Sequence, residues 1–250
     1  MKIFHDLEQG SEEWLRIRMG KPSASRLSSI VTAAKGELSK SRVSYVRELI
    51  AECFAPEWEE FAGNRYTDRG IEMEPEAREA FVAETLIDVK EVGGVLGDDG
   101  VSWCSPDGVV FDGKVIVEGL EVKCPSPSVH VGYILDGVLP NSYRQQVHGA
   151  LAITGAKRWH FWSYFPGLRP FHLIVEPDEY TEKVASALAQ FVTEYKTELN
   201  RVTPMIALPV EETPKPGPES EPEPPTFTPM EVEPAPKPAT PKKKRKGGKR

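Results

Sequence analysis

Ser105-Pro106-Asp107-Gly108, together with Leu120-Glu121-Val122-Lys123 further along the chain, decides how this sequence is interpreted. Side chains on a β-strand point alternately to its two faces, so Glu121 and Lys123 share one face while Val122 points into a core. Asp107 lies where a turn meets a neighbouring strand. If these two strands pair, two carboxylates and one ammonium group converge on a small volume.

This set of side chains suits a phosphodiesterase that depends on a divalent metal. Carboxylate oxygens hold Mg²⁺ while leaving positions for water and phosphate, and a nearby lysine can orient or deprotonate the attacking water. We therefore predict Asp107 and Glu121 as catalytic metal ligands and Lys123 as the catalytic amine. By itself the pattern is weak, because Pro-Asp-Gly is also ordinary turn chemistry. The alternative for Lys123 is a salt bridge to Glu121 or Asp107.

Longer segments resemble a known family. The stretches 103–108 and 120–125 resemble the nuclease core of the phage lambda exonuclease and YqaJ-type viral recombinase family, which belongs to the PD-(D/E)xK superfamily. Other segments match in the same order along the chain: Gln9-Gly10-Ser11-Glu12-Glu13-Trp14, Arg18-Met19-Gly20, Ser23-Ala24-Ser25, Gly70-Ile71-Glu72-Met73-Glu74, Ala77-Arg78 and Gln145-Gln146-Val147. The resemblance covers roughly residues 1–200, and several matched segments in order are far more specific than any single one.

The expected fold class is α/β (α+β), with a central mixed β-sheet flanked by helices and a restriction-endonuclease-like PD-(D/E)xK core. Hydrophobic spacing predicts helices over 11–18, 41–54, 66–84, 129–135, 142–154 and 178–200, with Ser11 capping the first and Ser23 capping one further helix. Strands are predicted over 89–95, 101–104, 109–111, 115–117, 120–123, 158–164 and 169–175, with Asp112-Gly113 as a hairpin turn. This order of elements favours a sheet covered by helices.

The resemblance adds further residues to the metal site. It implies that the backbone carbonyl of Val122 is a ligand, and that Glu74 is a helix-borne catalytic acid that binds a second metal or a metal-bound water. Glu72, Glu76 and Glu79 lie near it on the same predicted helix as parts of a solvated face. Only its position in the sequence, four residues after Gly70 and three before Ala77, distinguishes Glu74 from them.

The resemblance also implies a pocket for the 5′-phosphate of DNA, formed by Arg18, Ser25 and Ser105, with Gln146 near the active centre. A guanidinium binds two phosphate oxygens at once, and hydroxyl groups donate to the others. The alternatives are a surface ion pair for Arg18, a helix-capping role for Ser25 and a plain polar helix face for Gln146. Neighbouring Gln145 and His148 are more doubtful as site residues.

Composition divides the chain. Residues 1–208 hold 22 Lys and Arg against 31 Asp and Glu, and we expect them to form one nuclease domain whose positive potential is confined to a channel. Residues 209–250 hold 12 of the 23 prolines, so we expect a disordered Pro/Glu-rich linker over 209–241. The basic tail 242–250 has seven Lys and Arg among nine residues. It favours a DNA tether, with nuclear targeting as the alternative.

Cysteine and hydropathy patterns bear on the compartment. Three cysteines without metal-type spacing favour a reducing cytosol, which would be the bacterial host cytoplasm if the protein is phage-encoded. The five histidines do not cluster, which argues against a zinc site. Because no apolar run approaches ~18 residues, we expect no membrane association.

The expected function is a Mg²⁺-dependent 5′→3′ exonuclease that degrades linear double-stranded DNA and leaves 3′ single-stranded ends. Mn²⁺ is an alternative metal. The resemblance further implies a single-strand annealing protein as partner, and relatives form ring trimers, so a homotrimer is also expected. Two competing functions are a structure- or sequence-specific endonuclease on the same core and a catalytically inert DNA-binding recombination scaffold.

Overall fold

A computed structural model describes residues 1–54 and 65–206, which form two β-sheets and the helices around them. The helices are α1 (Glu12–Arg18), α2 (Leu27–Ile30), α3 (Arg42–Phe54), α4 (Arg65–Thr85), α5 (Pro127–Asp136), α6 (Asn141–Thr154) and α7 (Glu179–Ile206). The strands are β1 (Lys2–Phe4), β2 (Gly94–Leu96), β3 (Trp103–Cys104), β4 (Gly108–Asp112), β5 (Val115–Lys123), β6 (Arg158–Ser163) and β7 (Phe171–Val175). The predicted linker 209–241 and basic tail 242–250 lie outside the described residues. Among the residues that are described, no helix is long and apolar enough to cross a membrane.

The larger sheet is mixed, as predicted, with strand order β4-β5-β6-β7. Its β5–β6 pair is parallel and its other two pairs are antiparallel. A parallel pair needs a long crossover, and α5 and α6 supply it. The smaller sheet, β1-β2-β3, is antiparallel and was not predicted, because strand β1 is only three residues long.

The β4–β5 hairpin brings the two deciding segments together. Gly108 pairs with Leu120, which places Asp107 beside the end of β5. The turn consists of residues 113 and 114, one residue later than predicted, since Asp112 pairs with Val115. Strand β5 is continuous where two separate strands were predicted. The glycine between them, Gly119, is required because a Cβ there would lie 2.3 Å from the ring of buried Trp159.

The mixed sheet has apolar packing on both faces, as expected for a sheet with a parallel pair. Leu120 and Val122 pack on one face against Phe81 of α4 and Trp162 of β6. A larger core on the other side joins the sheet to α2, α3, α6 and α7. Val122 therefore points into a core as predicted, and Glu121 points to the opposite face, towards α6.

Two local predictions were wrong and one was confirmed. Ser11 caps α1, since its hydroxyl accepts a hydrogen bond from the Trp14 N–H at 3.2 Å. Ser23 makes no capping bond; the chain after it forms a single 3₁₀ turn and then the short α2. The predicted strand over 89–95 is mostly loop, with an isolated bridge at Lys90 before β2. The valines of this segment are buried, but most of the segment lacks the continuous strand pairing that its composition predicted.

Candidate active site

Asp107, Glu121 and Lys123 meet at one end of the β4–β5 hairpin. The Asp107 N–H donates to the Leu120 carbonyl at 3.0 Å, and the Asp107 Oδ2 accepts from the Val122 N–H at 2.6 Å. The Lys123 ammonium forms an ion pair with Glu121. The structure thus brings together the two carboxylates and the amine, and it places the Asp107 carboxylate against the backbone of Val122.

The charges of this group are out of balance. Burial raises the pKa of Asp107 well above its usual range, and the negative charge of Glu121 raises it further, although Lys123 acts in the opposite direction. Burial would lower the pKa of Lys123, but Glu121 and Asp107 outweigh that effect and raise it. Glu121 is only 3 % exposed. Two carboxylates share one ammonium in a buried place, and a buried charge without a counter-charge is costly.

A divalent cation fits this imbalance. Carboxylate oxygens are hard donors, and Mg²⁺ is commonly bound through one or two carboxylates while it keeps several waters. Asp107 and Glu121, with the Val122 carbonyl, would hold such an ion. Within residues 1–54 and 65–206, no group of three or more His, Cys, Asp or Glu side chains is arranged to hold a metal. Water molecules would complete the ligand set of such an ion.

Glu74 differs from its neighbouring glutamates in the residues that surround it. It lines a cavity of about 770 Å³ together with Asp107, and its charge helps to raise the pKa of Asp107, after the larger effects of burial and Glu121. Glu76, in contrast, accepts a hydrogen bond from the Tyr164 hydroxyl at 2.7 Å. The sequence left four glutamates on this helix open; of these, Glu74 is the one that lines the cavity beside Asp107.

The four residues predicted for phosphate and DNA contact lie around a second cavity of about 120 Å³. Its lining includes Arg18, Ser25, Ser105 and Gln146, and also Glu121 of the predicted metal-ligand pair. The four residues come from the ends of α1 and β3, the 3₁₀ turn and α6. Residues as far apart in the chain as Arg18 and Gln146 thus surround one small space, which Glu121 also lines.

The Arg18 side chain is held in place by hydroxyl groups and an aromatic ring. Its Nη2 donates to the Ser23 and Ser25 hydroxyls, both at 3.1 Å, and its guanidinium lies 5.0 Å from the centre of the Trp14 ring. The surface ion pair that the sequence allowed is not formed; Glu12 pairs with Arg16 instead. Burial lowers the pKa of Arg18, yet a guanidinium stays protonated in proteins. A fixed positive charge among hydroxyl groups is suited to a phosphate.

Comparisons with known proteins show the family of this chain. The YqaJ-like viral recombinase domain matches residues 13–157, more than half of the chain. This chain belongs to the YqaJ-like family. Its nuclease-type fold is therefore that of a family linked to phage-type recombination, as the sequence predicted.

Solved structures support the family assignment. The YqaJ-like chain is 30 % identical to LHK-Exo, an alkaline exonuclease from Laribacter hongkongensis. The structural match has a TM-score of 0.62 and covers 78 % of this chain and 100 % of the LHK-Exo chain. The same values hold for LHK-Exo in complex with dAMP. A phage-related exonuclease from Haemophilus somnus shares the fold at 17 % identity and a TM-score of 0.51, over 72 % of this chain and 96 % of that one. A comparison with curated proteins gave no match.

Ser105 and Gln146 connect the parts of the YqaJ-like site. The Ser105 hydroxyl accepts from Trp103 Nε1 at 2.7 Å, which leaves its proton for another acceptor. Gln146 Nε2 donates to Glu121 Oε1 at 2.5 Å, so it links the small cavity to the metal-ligand pair. Gln145 and His148, which lie close to Gln146 in the sequence, are buried in the protein. His148 forms a hydrogen bond with the Thr181 hydroxyl at 2.7 Å.

The YqaJ-like site also contains residues that the sequence did not single out for a role. Gln9 Nε2 donates to the Val92 and Pro106 carbonyls, both at 2.9 Å, and so fixes the turn before Asp107. The Tyr143 ring lies 5.1 Å from the Lys123 ammonium, close enough for a cation–π interaction. Gln9 belongs to a matched segment, whereas nothing in the sequence pattern marks Tyr143.

Proposed function

We propose that this protein is a Mg²⁺-dependent 5′→3′ exonuclease that degrades linear double-stranded DNA and leaves a 3′ single strand for recombination by annealing. The observation that supports it most is the position of Glu121. This carboxylate belongs to the metal-ligand pair and at the same time lines the small cavity that contains Arg18. A terminal 5′-phosphate bound at Arg18 would therefore lie next to the groups that hydrolyse the adjoining bond.

The residues divide the chemistry between them. A bound Mg²⁺ would supply a Lewis acid and lower the pKa of a bound water. Lys123, whose raised pKa keeps it protonated in this arrangement, would lower the pKa of the attacking water through its positive charge and stabilise the negative charge that develops on the phosphate oxygens. Gln146 and Lys123 both bond to Glu121 and so hold its carboxylate in place.

End recognition gives the polarity. The small cavity accepts the terminal phosphate through Arg18, Ser25 and Ser105, and a 5′-hydroxyl end offers these donors nothing of equal charge. Digestion would then start at 5′ ends and release 5′-mononucleotides. A single-strand annealing protein would receive the exposed 3′ strand, and a homotrimer would keep the enzyme on its substrate. Mn²⁺, which accepts the same oxygen donors, would replace Mg²⁺.

The decisive experiment uses linear duplex DNA labelled at either the 5′ or the 3′ end. With Mg²⁺ we expect immediate release of the 5′ label as a mononucleotide and late release of the 3′ label, and in a chelating buffer we expect neither. Covalently closed circular duplex should remain intact. Cleavage of the circle would instead support an endonuclease on the same core, and no cleavage of any substrate would support an inert DNA-binding scaffold.

The assignment of Glu74 is tested by comparing two glutamates on one helix. We expect Glu74→Gln to slow digestion by about 10- to 100-fold, because its carboxylate is replaced by a neutral group beside Asp107. Glu76→Gln is the matched control, since it changes the same residue type two positions away and affects a bond to Tyr164. Initial rates on 5′-phosphorylated duplex measure both. Equal effects of the two changes would remove Glu74 from the site.

A further inference from the structure

Arg78 joins two carboxylates beside the proposed metal site. Its Nη2 is 2.6 Å from Glu74 Oε1, and its Nη1 is 2.5 Å from Glu91 Oε1. The Arg78 side chain is only 13 % exposed, whereas that of Glu91 is 72 % exposed. All three line the 770 Å³ cavity that also contains Asp107. The guanidinium of Arg78 is therefore held between Glu74 and Glu91 on the wall of the cavity that Asp107 also lines.

The ion pair between Arg78 and Glu74 is not needed to attach helix α4 to the sheet. Apolar packing of Ala77 and Phe81 fastens α4 to the mixed sheet, and the Glu76–Tyr164 bond adds a second attachment. The Arg78 Nε, meanwhile, is buried without a hydrogen-bond partner among the described residues. An unsatisfied buried donor costs stability, so folding alone gives little reason for an arginine at this position.

We propose that Arg78 is a positioning residue, which fixes Glu74 on the side of the cavity that Asp107 occupies and, through its charge, weakens cation binding there. The inference rests on the proposed metal-dependent function. Arg78 forms a planar fork that can hold two carboxylates at once. The ion pair with Arg78 leaves Glu74 oriented but partly neutralised, so a cation meets a less negative site than the carboxylates alone would make.

Two effects follow, and they have opposite signs. Arg78→Gln removes a positive charge near the cation, so we expect Mg²⁺ and Mn²⁺ to bind about 3- to 10-fold more tightly. The same change frees Glu74, and turnover at saturating Mg²⁺ should fall by about 10-fold because the carboxylate is no longer fixed. Arg78→Lys keeps the charge without the fork. It should bind the cation within about twofold of the parent but show the same loss of turnover.

Cation binding is measured by titration calorimetry on the full chain, without DNA, and turnover is measured separately on linear duplex. Arg158→Gln is the matched control, because Arg158 also lies between two glutamates, Glu118 and Glu176, at the far end of strand β6. It should change neither quantity. If Arg78→Gln folds poorly, Glu91→Gln removes one anchor at an exposed residue, and turnover should fall by about threefold.

The possible results distinguish the positioning role of Arg78 from the proposed metal-dependent function. Tighter cation binding with slower turnover in Arg78→Gln, and slower turnover alone in Arg78→Lys, support the positioning role. Unchanged affinity and turnover in both variants overturn that role and leave the proposed function standing. If the unmodified protein binds neither Mg²⁺ nor Mn²⁺, the metal-dependent function is overturned and the role of Arg78 is overturned with it.

Discussion

Lys123→Ala is expected to slow digestion of linear duplex DNA by about 10³-fold or more, the range that a positioned positive charge contributes by activating the water and stabilising the transition state. The ammonium of Lys123 forms an ion pair with Glu121 and is the positive group beside the two proposed metal ligands, Asp107 and Glu121. Without it, no protein charge lowers the pKa of the attacking water, and the negative charge that develops on the phosphoryl group loses a counter-charge. Single-turnover rates at saturating Mg²⁺ measure the loss directly.

The same variant should show a second, independent effect. Buried Glu121 loses its counter-charge, so the free energy of unfolding in a chelating buffer should fall by about 3 kcal/mol. Mg²⁺ should restore more stability to the variant than to the parent, because the cation takes over the lost charge. Lys90→Ala is the control, since Lys90 forms an exposed pair with Asp88 and its loss should be nearly neutral. A Lys123→Ala protein that cleaves at the parental rate would disprove the catalytic role.

The sequence predicted the fold well wherever side chains follow a regular period. The alternation in β5 placed Val122 in a core and Glu121 on the other face, and this was confirmed. Strand β5 was nevertheless predicted as two pieces, because Gly119 is a poor strand residue until the Trp159 ring that covers it is known. The brief strand β1 depends on partners in β2 that lie 90 or more residues further along the chain. No local pattern contains that information.

The candidate site was predictable to the extent that it depends on residue types in a fixed order. Asp107, Glu121 and Lys123 form a group because their two strands are adjacent in the chain and pair as a hairpin. The role of Arg78 and the position of Tyr143 depend instead on which helix face meets the site. Sequence spacing shows that α4 is amphipathic, but it does not show which glutamate the helix turns towards Asp107. Only the packing of the helix decides that.

Arg18→Ala is expected to weaken digestion by about 10- to 100-fold on 5′-phosphorylated ends, the equivalent of one or two charge-assisted hydrogen bonds. On 5′-hydroxyl ends the loss should be less than about threefold, because that end has no phosphate to contact Arg18. The guanidinium is held by Ser23 and Ser25 and lies against Trp14. Its position is therefore fixed before DNA binds, and the selectivity should appear mainly in the apparent affinity for the end.

Arg16→Ala provides the matched control for this prediction. Arg16 lies on the same helix, but its side chain is 77 % exposed and its partner is Glu12. Its removal lowers the positive charge by the same amount without touching the small cavity, so both kinds of end should respond alike and weakly. If Arg18→Ala reduces digestion of both ends equally, then the small cavity binds no terminal phosphate. The polarity would in that case have to come from contacts with the duplex rather than from recognition of its end.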